Sequence, residues 1–111
     1  MEEFVKGDVV VLPFPFSDLS RSKKRPALVV ATLKGDDIIL CQITTESRLD
    51  DYSILLENKD FKQKGLNLKS LIRCNKLFTA DKSIILYKVG SLKESKIKDV
   101  EKELINIITD N

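Results

Sequence analysis

The sequence predicts a mainly β chain closed by one C-terminal α-helix, its strands forming a small, strongly bent sheet or open barrel. Two observations carry this. Apolar runs of strand length recur between Asp8 and Val89, separated by clusters of Gly, Pro, Asp and Ser, which is the punctuation of short strands and turns. From Ser91 onward the apolar positions Ile97, Val100, Leu104, Ile107 and Ile108 fall at helical spacing instead, with charges between them. With 111 residues of which 42% are hydrophobic, the chain is long enough to bury one core without disulfides or metal, and it is read as a single domain over 1–111.

Taken in order, Asp8 to Phe14 reads as a first strand, and Pro13 and Pro15 require its far end to lie at an edge or bulge. Ser17 to Arg25 reads as a polar, basic loop. Pro26 to Thr32 is apolar on both faces and so suits a central, doubly covered strand. Lys34-Gly35-Asp36-Asp37 is a turn signal joining it in a hairpin to Ile38–Thr44, where alternation sets Ile39, Cys41 and Ile43 against Leu40, Gln42 and Thr44. Tyr52 to Leu56 is a further strand, and the charged stretch Glu57–Lys69 reads as loop or one short helical turn. In Ser70–Lys76, Ile72 and Cys74 point inward while Arg73 and Asn75 share the other face. Residues 78–82 read as a loop, Ser83–Val89 as a last strand closed by Gly90, and Ser91 with Glu94 as a capping box opening the helix.

Composition narrows the chemistry. The chain has no histidine, which removes the commonest general base, the commonest zinc ligand and every Ser-His or Cys-His nucleophile pair. Lys and Arg number 19 against 17 Asp and Glu, so any nucleic-acid surface must come from local clustering rather than bulk charge. Such a cluster exists: Arg21, Lys23, Lys24 and Arg25 are interleaved with Ser17, Ser20 and Ser22, cations and small hydroxyls suited to phosphate. Cys41 and Cys74, far apart in sequence, read as buried small hydrophobes. No apolar segment approaches a membrane span and no secretion signal opens the chain, so a cytoplasmic location without membrane contact is expected.

If the phosphate such a cluster grips belongs to RNA, metal-free cleavage is one chemistry open to these residues. There the 2′-hydroxyl attacks the adjacent phosphorus and negative charge builds on the phosphoryl oxygens. Arg25 offers a planar, permanently charged donor fork for that charge, Lys24 a point charge, and Thr44 a hydroxyl donor from the neighbouring strand. Arg25 can equally serve as a solvated strand-start residue or an ion-pair partner of Asp8 or Asp18, and Thr44 as an ordinary β-branched strand residue. Arg73 suits RNA, a dimer contact or a salt bridge. The general base is open between Glu46, an arginine, or positioning alone. Phe16 and Phe78 are the aromatics available for stacking bases.

The ordered set GDVVVLPFPFSDLSRSKKRPALVV, then Ile43-Thr44, then SLIRCNKLFTADK from Ser70 to Lys82, then an amphipathic helix, resembles the MazF/PemK toxin family across nearly the whole chain. The resemblance implies an SH3-like, strongly twisted small barrel of five to seven strands, of the MazF/PemK/CcdB kind. It implies a metal-independent, cofactor-free, sequence-specific endoribonuclease, homodimeric, cutting single-stranded RNA and neutralised by a cognate antitoxin, with DNA reached only through the antitoxin complex. Arg25 and Thr44 fall at the family's catalytic Arg and Thr/Ser; Phe16, Ser17, Arg21, Lys23, Lys24, Arg73, Asn75 and Phe78 are the RNA-binding candidates. Some members carry Arg-Cys-Asp where this chain has Arg73-Cys74-Asn75, and an amide cannot accept a proton as a carboxylate does. Two other readings follow from a shared fold: a gyrase-poisoning toxin that is not an enzyme, and an inactive RNA- or peptide-binding module.

Overall fold

The computed structural model describes residues 3–15, 22–45, 50–66 and 68–110. Seven strands form one antiparallel sheet: β1 (Asp8–Pro15), β2 (Ser22–Thr32), β3 (Asp37–Thr44), β4 (Ser53–Leu56), β5 (Phe61–Lys64), β6 (Ser70–Asp81) and β7 (Tyr87–Leu92), followed by α1 (Glu94–Thr109). Their spatial order is β4-β6-β3-β2-β1-β7-β5, and the sheet curls into a half-barrel with the helix at its end. The predicted mainly β fold with a C-terminal helix is the fold observed.

The curl gives the sheet two apolar clusters, one on each face. Val9, Leu28, Cys41, Ile43, Ile72 and Cys74 belong to the first, which Ile97, Leu104 and Ile107 of α1 help to cover. Val10, Leu12, Ala27, Val29, Ile38 and Leu40 form the second, packed against by Phe4, Phe14, Phe78 and Ile85. Strand β2 contributes to both, as its apolar-on-both-faces sequence predicts. On the first face, the hydrogen bond with Cys74 and then burial push the Cys41 thiol well above its ordinary range, and the two cysteines are not joined in a disulfide.

The Gly7-Asp8 pair is structural. Gly7 has φ +99°, a conformation that strains any residue with a side chain, and a Cβ there would also stand 2.5 Å from Ile97 Cδ1 and push that side chain of α1 aside. Asp8 is 1% exposed; it accepts hydrogen bonds from Val5 N–H (3.0 Å) and the Ser91 hydroxyl (2.9 Å), with Lys88 Nζ 3.6 Å away. That buried carboxylate ties the entry of β1 to β7.

Several boundaries differ from the sequence reading, each for a physical reason. Ser91 does not cap α1, because its hydroxyl is committed to Asp8; the N-cap is Lys93, which makes no side-chain cap bond. Residues 78–82 are not a loop: after an irregularity between Cys41 and Gln42 in the pairing, β6 continues along β3 through Phe78, Thr79 and Ala80. Strand β5 is embedded in the charged stretch and is recruited by backbone pairing with β7. Gly90 lies inside β7, where a Cβ would stand 2.6 Å from the Gln63 carbonyl oxygen. The last strand starts late, preceded by a 3-10 turn at Lys82–Ile84 whose entry Asp81 caps by accepting from Ser83 N–H. Pro13 is tolerated because β1 pairs with β7 only as far as Val11 and beyond that with β2 alone. Ile108 is 72% exposed and falls outside the packed stripe of α1.

Candidate functional site

The site is built on the last residues of the β2–β3 hairpin. Val29 stands opposite Leu40, Leu28 opposite Cys41 and Ala27 opposite Gln42; continued two residues further, that register brings Arg25 level with Thr44. Neighbouring strands lie about 4.8 Å apart. Side chains alternate, so Arg25 shares a face with Ala27, and Thr44 with Gln42 and Leu40, which is the face of the second apolar cluster. On the other side of β3, Gln42 faces Arg73 and Thr44 faces Leu71 on β6. Arg73 therefore shares that face too, and the two arginines flank Gln42 and Thr44 from opposite neighbours.

These groups differ in exposure. Thr44 is 5% exposed and paired with Leu71 of β6. Arg25, Gln42 and Arg73 are half-buried. Lys23 and Lys24 are exposed; they belong to β2 rather than to a loop, with Lys23 opposite Phe14 and Lys24 opposite Pro13. Alternation consequently puts Lys23 on the face of Arg25 and Lys24 on the reverse.

Arg73 has a defined carboxylate partner. Its Nη2 lies 3.2 Å from Asp50 Oδ2, while Asp50 Oδ1 accepts from Tyr52 N–H (2.9 Å) and the Ser53 hydroxyl (2.8 Å). The Tyr52 N–H first, then the Ser53 hydroxyl and the Arg73 charge, hold the Asp50 carboxyl below its usual range. The Nε of Arg73 is buried and has no hydrogen-bond partner among the described residues.

Beside these polar groups the same face offers an aromatic wall. Phe14 and Phe78 meet edge to face with centroids 5.0 Å apart and planes at 71°. They line, with Leu12, Gln42, Lys76 and Ile84, an open cavity of about 420 Å³. Such a surface presents apolar rings next to an amide and a lysine, the chemistry that receives an unstacked base.

The structure thus brings Arg25, Thr44, Lys23, Arg73 and Phe78 to one face. Asn75 is not with them: it lines a cleft of about 140 Å³ against α1, with Tyr52, Glu103 and Asn106. Phe16, Ser17 and Arg21, like the base candidate Glu46, lie outside the described residues. Phe14 and Asp50 were not singled out from the sequence. Phe14 had a signal, being alternate to Leu12 and Val10 on the first strand; the pairing of Asp50 with a residue 23 positions away had none.

A search of curated proteins gives no match to the sequence. Solved structures share the fold at low sequence identity. MazF (Form-I) from Deinococcus radiodurans superposes with a TM-score of 0.74 at 16% identity over 97% of this chain and 98% of its own. A MazE–MazF structure (Form-III) from the same organism gives 0.73 at 16%, covering 94% of each chain. An endoribonuclease in complex with its cognate antitoxin, from a mycobacterial species, gives 0.71 at 15%, covering 96% of this chain and 95% of its own. The model of the PemK-like, MazF-like toxins of type II toxin-antitoxin systems matches residues 5–108. With nearly its full length inside that match, the chain belongs to the PemK-like, MazF-like toxin family of type II toxin-antitoxin systems.

Proposed function

We propose that this toxin is a metal-independent, sequence-specific endoribonuclease that cuts single-stranded RNA, with Arg25 and Thr44 as its catalytic residues. The observation that carries the reading is the β2–β3 register, which, extended two residues beyond the Ala27–Gln42 pair, sets Arg25 level with the nearly buried Thr44 on one face. Proteins of this fold named as endoribonucleases support it.

In the reaction the substrate's 2′-oxygen forms a bond to phosphorus as the bond to the 5′-oxygen breaks. The 2′-hydroxyl proton leaves to a base and the departing 5′-oxygen gains a proton, giving a cyclic phosphate and a 5′-hydroxyl. Arg25 meets the charge that develops on the phosphoryl oxygens with two parallel N–H donors, and Thr44 donates a hydrogen bond to one of them. Because Thr44 is fixed in the sheet, its donor needs no reorganisation as charge develops. Lys23 and Arg73 hold neighbouring phosphates, with Ser17 and Arg21 and the aromatics Phe16 and Phe78 on flanking nucleotides; Lys24 and Asn75 reach RNA only away from the Arg25 face. The base is left to Glu46, an arginine, or positioning of the 2′-hydroxyl alone.

The toxin acts as a cytoplasmic homodimer, neutralised by a cognate antitoxin and reaching DNA only through that complex. Among the described residues no helix is long and apolar enough to cross a membrane. Incubating the protein with unstructured RNA in EDTA and mapping the new ends tests the reading. Cyclic phosphate and 5′-hydroxyl ends support it. If several unrelated RNAs stay intact while gyrase supercoiling is inhibited, the activity is that of a topoisomerase poison.

A further inference from the structure

Gln42 carries a polar group on the Arg25 face that the chain itself leaves unused. It stands opposite Ala27 on β2 and Arg73 on β6. The first offers only a methyl, and the second gives its Nη2 to Asp50 at 3.2 Å. Among the described residues the Gln42 side-chain amide makes no hydrogen bond. It is half-buried and lines the open cavity of about 420 Å³ walled by the Phe14–Phe78 pair. Two other polar residues line that cavity. Thr79 alternates to the reverse face of β6, opposite Ile39, whereas Lys76 lies on the face of Phe78. A carboxamide and an ammonium are therefore set beside two aromatic rings.

We propose that Gln42 and Lys76 form a base-reading subsite that selects a keto base, guanine or uracil, on a nucleotide beside the scissile linkage. This rests on the ribonuclease reading and deepens it by naming the base class the site selects. Guanine and uracil share one edge, a carbonyl next to a ring N–H. Gln42 Oε1 accepts from that N–H, its Nε2 donates to the carbonyl, and Lys76 donates to the same oxygen. Adenine and cytosine carry an amino group where that carbonyl stands. The amino group turns an N–H toward the ammonium and leaves Lys76 without an acceptor. Every base has a face that stacks on an aromatic ring, so Phe14 and Phe78 hold a base without choosing it, and the choice falls to the two polar groups. Gln42 precedes Thr44 by two residues on the same face of β3, about 7 Å along the strand, within reach of a nucleotide next to the one being cut.

The test digests a pool of unstructured RNAs of random sequence in EDTA with wild type, Gln42→Leu and Lys76→Met, and sequences the ends produced. The quantity read is the ratio of cutting at keto bases to cutting at amino bases, position by position, within each protein. For wild type the expected ratio is about tenfold or more at one position within two nucleotides of the cut. Gln42→Leu should bring it to about twofold or less at that position alone, and Lys76→Met should lower it at the same position. Which base dominates there separates guanine from uracil. A single RNA carrying N1-methylguanosine or N3-methyluridine at that position, which blocks the ring N–H, should be cut by wild type about tenfold more slowly than its unmethylated counterpart. That measurement decides the matter even if Gln42→Leu fails to fold. Adenine or cytosine preferred at every position near the cut would overturn the proposal, as would a ratio that Gln42→Leu leaves unchanged or a methyl group without effect. In each of those cases wild type still cuts RNA, so the ribonuclease reading stands. A wild type that cuts no RNA removes both.

Discussion

Replacing Thr44 by Val separates the chemistry of the site from the stability of the sheet. Thr44 is 5% exposed and paired to β6 opposite Leu71. Valine has nearly the same shape and a higher liking for strands, so the exchange removes a hydroxyl and adds a buried methyl. Losing a buried hydroxyl's hydrogen bond costs about 1 kcal/mol, and the extra methyl returns about 0.8 kcal/mol. Net stability therefore moves by about 1 kcal/mol or less, a Tm shift of about 8 °C at most for a domain of this size. The rate responds differently, because a preorganised donor to a developing oxyanion is worth about 3 kcal/mol, or roughly a hundredfold and more in kcat. The assay is cleavage of a fluorogenic RNA in EDTA at saturating substrate, with circular dichroism melting of the same samples. Thr44→Val cutting within about threefold of wild type, at unchanged Tm, would refute a catalytic role for this hydroxyl.

Asp8→Ala should behave in the opposite way. It strips the acceptor from Val5 N–H and the Ser91 hydroxyl and leaves Lys88 without its nearest carboxylate, costing about 3 kcal/mol in urea unfolding, while the folded fraction retains its cleavage rate. The thiols of Cys41 and Cys74, both fully buried, should react with an aromatic disulfide reagent only as fast as the sheet opens, and promptly in denaturant; rapid labelling of the native protein would contradict their placement. Asp50, whose carboxyl is held below its ordinary value of 3.8 by Tyr52 N–H, the Ser53 hydroxyl and Arg73, should titrate below 3.8 by carboxyl NMR. Since its folded pKa is depressed, its contribution to stability is present above the unfolded pKa and is lost as pH falls through the folded one. Arg73→Ala should raise that midpoint.

Alternation and turn chemistry made much of this molecule legible. The faces of β3 followed from Leu40-Cys41-Gln42-Ile43-Thr44 because every second residue must face the same way, and Gly35, at φ +85°, marked the turn that makes β2 and β3 adjacent. With adjacency came the nearness of Arg25 and Thr44. What local pattern could not convey was competition from residues distant in sequence. Ser91 has the spacing of a cap, but Asp8, 83 positions earlier, takes its hydroxyl. Strand β5 has almost no apolar signal, since its pairing with β7 uses backbone groups that every residue possesses. The Lys23-Lys24-Arg25 run reads as loop by polarity, yet the β1 backbone opposite keeps it extended. Asn75 alternates with Ile72 and Cys74 only until the pairing of β6 with β3 shifts register, which leaves it beside α1. Asp50 acquires its meaning only when β4 lies against β6.

The measurement that bears most directly on the central claim compares wild-type and Arg25→Ala protein under single-turnover conditions in EDTA, on one unstructured RNA, with binding followed on the same samples. The expected result is that Arg25→Ala retains RNA affinity within about tenfold, through the remaining cations, while its cleavage rate falls by a factor of about a hundred to a thousand. Equal cleavage by both proteins, with the same ends, would remove Arg25 from the chemistry and contradict the assignment of this face of the β2–β3 hairpin as the catalytic site.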